Sequence, residues 1–205
     1  MGFRSTMFAA VYDRMSRANE EAGVRALRQG LLAGATGRVL EIGSGTGANL
    51  GLYADGIEKL VMTEPEAAML KRLQQKAREQ APDADVVQAP AEALPFEEGS
   101  FDTVVSTLVL CGVGDQSKAL GEAHRVLRPG GQLLFLEHVL SNDPDLAKFQ
   151  NRMNWLNRLV VQCDCNRNTL SAIGAAGFDV TQLEHSAMPK APKFVRPLIV
   201  GAASA

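Results

Sequence analysis

The chain has 205 residues, 46% of them hydrophobic and 21% charged, enough for a single domain with a buried core. Its 21 basic and 23 acidic side chains leave a formal charge of −2, and no five or six like charges run together, which argues against nucleic acid as a partner. The longest apolar stretches, such as the one around Leu133–Leu136, fall far short of the roughly 18–20 residues that cross a bilayer.

From the N-terminus, residues 1–30 predict a helical decoration whose stripe of Phe3, Met7, Phe8, Val11, Tyr12 and Met15 is interleaved with Arg4, Arg14 and Arg17. The stripe packs on the domain's own rim as a lid over a ligand, or makes a weak peripheral contact with a membrane surface. No secretion signal precedes it, so the expected location is cytoplasmic.

The middle of the chain alternates short β-branched runs with amphipathic stretches, the pattern of strand-helix units around a mostly parallel sheet. Strands are expected at Gly37–Ile42, Leu60–Thr63, Ala84–Gln88, Phe101–Leu110 and Gly131–Val139, with helices at Glu66–Gln80 and Ser117–Leu127. Beyond them Leu146, Phe149, Met153, Leu156 and Val160 form a helical stripe, and Thr169–Ala176 is a helix ended by Gly177. Phe178–His185 and Phe194–Ala202 follow with no helix between them, which predicts antiparallel pairing at a sheet edge. The fold expected is α/β: a Rossmann-like seven-stranded sheet, mostly parallel with an antiparallel last strand, with helices on both faces. Residues 1–205 read as one domain, with 37–139 as a cofactor-binding core and 140–205 as acceptor-side helices and the last two strands. Cys111, Cys163 and Cys165 lack the second Cys/His pair of a structural zinc site, so no metal is expected.

The most informative segment is Val39-Leu40-Glu41-Ile42-Gly43-Ser44-Gly45-Thr46-Gly47, an apolar strand running into three alternating glycines. Such a loop turns sharply and brings backbone against a ligand beyond the strand's carboxyl end, with a helix expected to begin near Gly47. Gly43-x-Gly45-x-x-Ala48 also satisfies a relaxed dinucleotide fingerprint, with Glu64 about 20 residues on. A pyrophosphate, however, would be repelled by the carboxylate of Glu41 just before the loop. S-adenosylmethionine has no phosphate, and its sulfonium and ammonium interact favourably with carboxylates. Glu64, at the end of the second strand before Pro65, is placed to accept hydrogen bonds from both ribose hydroxyls, or else to cap the helix that follows.

These residues together resemble a class I S-adenosylmethionine-dependent methyltransferase, over about Arg38 to Val139. Glu41-Ile42-Gly43-Ser44-Gly45-Thr46-Gly47 is similar to that family's first motif, Glu64 to its ribose-binding acid, and Ala91-Glu92-Ala93-Leu94-Pro95-Phe96 to its adenine-side segment. Phe101-Asp102-Thr103-Val104-Val105 resembles its fourth strand, and Arg125-Val126-Leu127-Arg128-Pro129-Gly130-Gly131 completes the match. Pro90 stands where relatives often carry an Asp for the adenine amino group, which leaves the Ala91 N–H for an adenine nitrogen and Glu92 for a helix start or solvent. The resemblance implies Tyr12, Glu41, Gly43, Gly45, Gly47, Glu64, Pro65, Ala91, Glu92 and Thr107 as cofactor-binding residues. At finer grain, Thr107–Cys111, Leu136-Glu137-His138-Val139 and Phe194–Pro197 resemble the group that includes thiol S-methyltransferases, and the small bacterial phospholipid N-methyltransferases are similar in size. Eukaryotic members of the first group begin with a hydrophobic anchor that this sequence lacks.

Methyl transfer from a sulfonium is an in-line displacement governed by alignment and exclusion of water. The acceptor is expected to be a small molecule or a lipid. The candidate general base is His138, near the carboxyl end of the fifth strand, with a hydrogen-bonded structural histidine as the other reading. Glu137 is either its partner or points the other way across the sheet. Trp155, Phe149, Met153 and Leu156 line an acceptor pocket or pack in the core. An oxidoreductase using NAD(P) and a non-catalytic S-adenosylmethionine-binding module stand as the alternatives.

Overall fold

In the computed structural model, residues 17–161 and 163–205 are described. The Phe3 to Met15 stripe, including Tyr12, lies outside them. The strands are β1 (Gly37–Ile42), β2 (Ile57–Thr63), β3 (Asp85–Val87), β4 (Phe101–Thr107), β5 (Leu127–His138), β6 (Asp179–Ala187) and β7 (Pro197–Ser204). They form one sheet in the order β3-β2-β1-β4-β5-β7-β6. The first five pair in parallel, and β7 runs antiparallel to both β5 and β6, so the last strand alone is reversed. The helices are α1 (Arg25–Leu32), α2 (Ala67–Gln80), α3 (Gln116–Val126), α4 (Pro144–Val161) and α5 (Thr169–Ala175).

The two faces of the sheet each carry an apolar cluster, as a parallel sheet buried on both sides requires. On one face Val39, Val105, Leu134 and Leu136 pack against Leu32 of α1, Leu73 and Ala77 of α2, and Leu50, Leu52 and Val195. On the other, Leu40, Val104, Leu133 and Phe135 pack against Leu120 and Ala123 of α3 and Ile173 of α5. Side chains alternate along each strand, so Glu41, Thr107 and His138 continue the first face to the carboxyl ends of β1, β4 and β5. Acidic and amide caps start the helices. Glu66 accepts from the Ala68 N–H, Asp115 from Lys118 and Asn168 from Ser171, while Gly177 at φ 95° turns the chain out of α5.

Four details differ from the sequence expectation. No helix follows the glycine loop. Gly47, Leu50 and Leu52 donate to carbonyls three residues back, and left-handed Gly47 (φ 80°) and Gly51 (φ 75°) keep the segment in successive turns. β4 ends at Thr107, three residues early, because Leu108 adopts φ 61° and leaves the strand. β7 begins at Pro197, since Lys193–Val195 form a 3₁₀ turn. In the expected stripe of α4, Leu146, Met153 and Leu156 are half-buried and Phe149 is more exposed, while the fully buried side chains of the helix are Gln150 and Asn157. Trp155 is 65% and Leu159 75% exposed, and Phe149 is partly exposed, edge-on to Phe194. The buried contacts are polar: Gln150 donates to the Val139 and Cys165 carbonyls, and Asn157 to the Cys163 carbonyl. Amides tie this helix to loop backbone, and Trp155 does not pack in the core. Among the described residues, no helix is long and apolar enough to cross a membrane.

Candidate active site

The glycine loop lies at the carboxyl end of β1, anchored to the neighbouring strand where Ser44 N–H donates to the Thr63 carbonyl at 2.8 Å. Gly43 (φ 57°), Gly45 (φ 57°) and Gly47 (φ 80°) are all left-handed, a conformation costing other residues roughly 1–2 kcal/mol. The three have different surroundings. A Cβ on Gly43 would lie 2.6 Å from Val109 Cγ1, and one on Gly47 2.7 Å from Leu50 Cδ1, so both glycines are forced by packing. A Cβ on Gly45 would meet nothing within 4 Å, so the crest of the loop is bare backbone open to an approaching ligand.

Glu64, 5% exposed, closes the loop from the end of β2. Its Oε2 accepts from the Gly45 N–H and its Oε1 from the Glu66 N–H, both at 2.9 Å. Burial pushes its carboxyl above the ordinary range, opposed by those two backbone donors. Each oxygen retains a lone pair for a further donor, which is what two vicinal hydroxyls require. The same contact disfavours a diphosphate: the Gly45 N–H that would cradle it already serves a carboxylate, and no helix N-terminus follows the loop. The residues therefore fit an S-adenosyl nucleoside and do not fit a dinucleotide.

Glu41, 1% exposed, has partners the sequence did not reveal. Tyr53 donates its hydroxyl to Glu41 Oε2. Arg28 of α1, buried, donates to Asn49 Oδ1 at 3.0 Å, to Thr107 Oγ1 at 2.7 Å and to Glu20 Oε1 at 3.0 Å. Asn49 Nδ2 also donates to Thr107 Oγ1. Burial raises the Glu41 carboxyl, while the Tyr53 and Ser44 side chains and the Arg28 charge lower it. A buried acid needs a cationic or proton-donating partner, and Arg28 and Tyr53 supply both from within the protein. Thr107 faces this network, at the base of the crevice.

On the adenine side, Ala91 is buried and Pro65 exposed. Glu92 Oε1 accepts from Gly114 N–H at 2.8 Å and Asp115 N–H at 3.3 Å, the helix-start alternative, so it staples the turn before α3. His138, 6% exposed, hydrogen-bonds the backbone of Val195 and Pro197, while its Nδ1 has no partner. Burial lowers its pKa to about 4 from 6.5, partly offset by those two bonds, so the ring is neutral at pH 7. Glu137 points to the opposite face and is not its partner: it accepts from Ser106 Oγ and three backbone N–H groups. Cys111 is buried; the neighbouring Cys163 thiol and desolvation raise its pKa, so it is no nucleophile. Sequence reasoning missed Arg28, Asn49 and Tyr53, which carry no local motif.

Known proteins resemble the chain in both sequence and fold. The family model of a methyltransferase domain matches residues 40–135. The chain is 34% identical over 178 residues to the thiol S-methyltransferase TMT1A of Homo sapiens, covering 82% of this chain and 72% of the relative. It is 31% identical over 128 residues to the phosphatidylethanolamine N-methyltransferase of Cereibacter sphaeroides, covering 58% and 63%. Among solved structures, a SAM-dependent methyltransferase from Thermotoga maritima superposes with a TM-score of 0.70 at 21% identity, covering 97% of both chains. Geranyl diphosphate methyltransferase in complex with SAM gives 0.68 at 16% identity, over 87% of this chain and 84% of that one. At such identities the structural likeness establishes the fold.

Proposed function

We propose an acceptor from one premise: the chain belongs to the S-adenosylmethionine-dependent methyltransferases and transfers a methyl group to a small-molecule or lipid acceptor. When bound, S-adenosylmethionine supplies an activated methyl on a positively charged sulfur with a neutral leaving group. The Gly43–Gly47 backbone seats it, Glu64 holds the ribose hydroxyls, the Ala91 N–H meets the adenine edge, and Glu41 stands just before the loop near the end of β1. The core at 37–139 carries this seat and residues 140–205 form the acceptor side.

The acceptor we infer is the thiol of a small molecule. The observation that carries it is the 34% and 36% identity to two human thiol S-methyltransferases, over 82% and 84% of this chain. The thiol gives its proton to water as its sulfur receives the methyl. Relatives named thiol S-methyltransferases, whose length the chain covers by more than two thirds, support the same class.

The test is cofactor consumption with a panel of thiol, amine, phenol and phosphatidylethanolamine acceptors, the methylated product identified by mass. Thiols are expected to turn over. Methylation confined to amine or phospholipid would contradict the assignment.

A further inference from the structure

Glu137 is completely buried near the end of β5, yet the cofactor seat does not use it directly. Its Oε1 accepts from Ser106 Oγ at 2.7 Å, Val109 N–H at 3.0 Å and Leu110 N–H at 3.1 Å, and its Oε2 accepts from Cys111 N–H at 3.3 Å. Three consecutive amides thus converge on one carboxylate. They do so because the chain turns at Leu108, which among the described residues is alone among non-glycines in having positive φ, at 61°. A leucine is costly in that conformation, and such strain persists only where surrounding contacts over-determine it. The Leu108 N–H bond to the Leu136 carbonyl at 2.7 Å and the Glu137 nest one residue further along β5 provide them.

The turn held in this way bears on the cofactor loop. Val109 fills the space that a Cβ of Gly43 would occupy, its Cγ1 and Cγ2 2.6 and 2.9 Å from that position. Gly43 in turn leads to the Gly45 crest and its bond to Glu64. We propose that Glu137 is a positioning residue for methyl transfer: it draws the turn at Val109–Cys111 inward and, through Val109, sets the position of the glycine loop. The inference rests on that loop seating the S-adenosyl nucleoside. A carboxylate suits the task because it accepts from several donors at once, whereas a Gln would present an NH₂ to one N–H.

The test compares wild type, Glu137→Gln, Val109→Ala and the double variant. It reads calorimetric affinity for S-adenosylhomocysteine, KM for S-adenosylmethionine, kcat and the thermal midpoint. Each single substitution is expected to weaken nucleoside affinity and raise this KM about tenfold, with kcat at saturating cofactor changed less than about threefold. The double variant is expected to bind about as well as the weaker single, because both changes break one line of contact. Glu137→Asp keeps the charge and withdraws it by one methylene, and is read in the same way if the Gln variant does not fold. A folded Glu137 variant with wild-type affinity, or losses that multiply independently in the double variant, would overturn the proposal. Wild-type protein that fails to bind S-adenosylhomocysteine would instead remove the nucleoside seat on which the proposal rests.

Discussion

The neutrality of His138 makes a quantitative prediction about acid stability. Its folded pKa is about 4 against 6.5 for a free imidazole. Between those values the unfolded chain binds a proton that the folded chain does not, so stability falls as pH drops from above 6.5 toward 4. The full difference corresponds to roughly 3 kcal/mol, of which about 2 kcal/mol is lost between pH 7 and pH 5. Glu41, Glu64 and Glu137 act in the opposite sense. Burial raises their carboxyls, so the folded protein keeps protons that the unfolded chain sheds, and their contribution declines as pH rises through the raised values. The imidazole term is therefore isolated by difference. In urea unfolding at the two pH values, His138→Gln should lose about 2 kcal/mol less than wild type on acidification. Equal losses would mean that the folded ring takes up a proton and that its burial does not hold it neutral.

Glu64→Gln should weaken S-adenosylhomocysteine binding by about 1–3 kcal/mol in calorimetry, since the charged acceptor for the ribose hydroxyls is lost while the side-chain shape stays. Gly43→Ala should cost about 2–4 kcal/mol in chemical denaturation, combining left-handed strain with the clash against Val109, and Val109→Ala in the same chain should recover the packing part. Arg28→Met should destabilise by about 3 kcal/mol, because the buried Asn49 Oδ1 loses its donor and Glu41 its nearby cation. The last effect is read as a shift in the urea midpoint.

Much of the sheet was legible because its central strands β1, β4 and β5 carry apolar residues buried on both faces, and β1 falls at its expected bounds. Where the sequence misled, a distant residue decided the outcome. The run Phe101–Leu110 contains no Gly or Pro to end it, and its strand stops at Thr107 because Leu108 turns over a carboxylate nearly thirty residues away. The apolar stripe of α4 was visible, but periodicity cannot reveal that Gln150 and Asn157 would bury themselves against backbone carbonyls while Trp155 stayed outside. At the site, Gly43, Gly45, Gly47 and Glu64 were legible as one constellation because they are close in sequence or follow successive strands. The partners of Glu41 were not. Arg28 comes from a helix before the sheet and Tyr53 from a turn after the loop, and neither residue type is distinctive alone.

The nucleoside seat is tested most directly by calorimetric titration of the wild-type protein with S-adenosylhomocysteine and, separately, with NAD and NADP. Saturable binding of S-adenosylhomocysteine at one site per chain, and no heat from either dinucleotide, is the predicted result. Binding of a dinucleotide, or none of S-adenosylhomocysteine, would contradict the reading of Glu64 and the Gly45 crest as a seat for a nucleoside without phosphate.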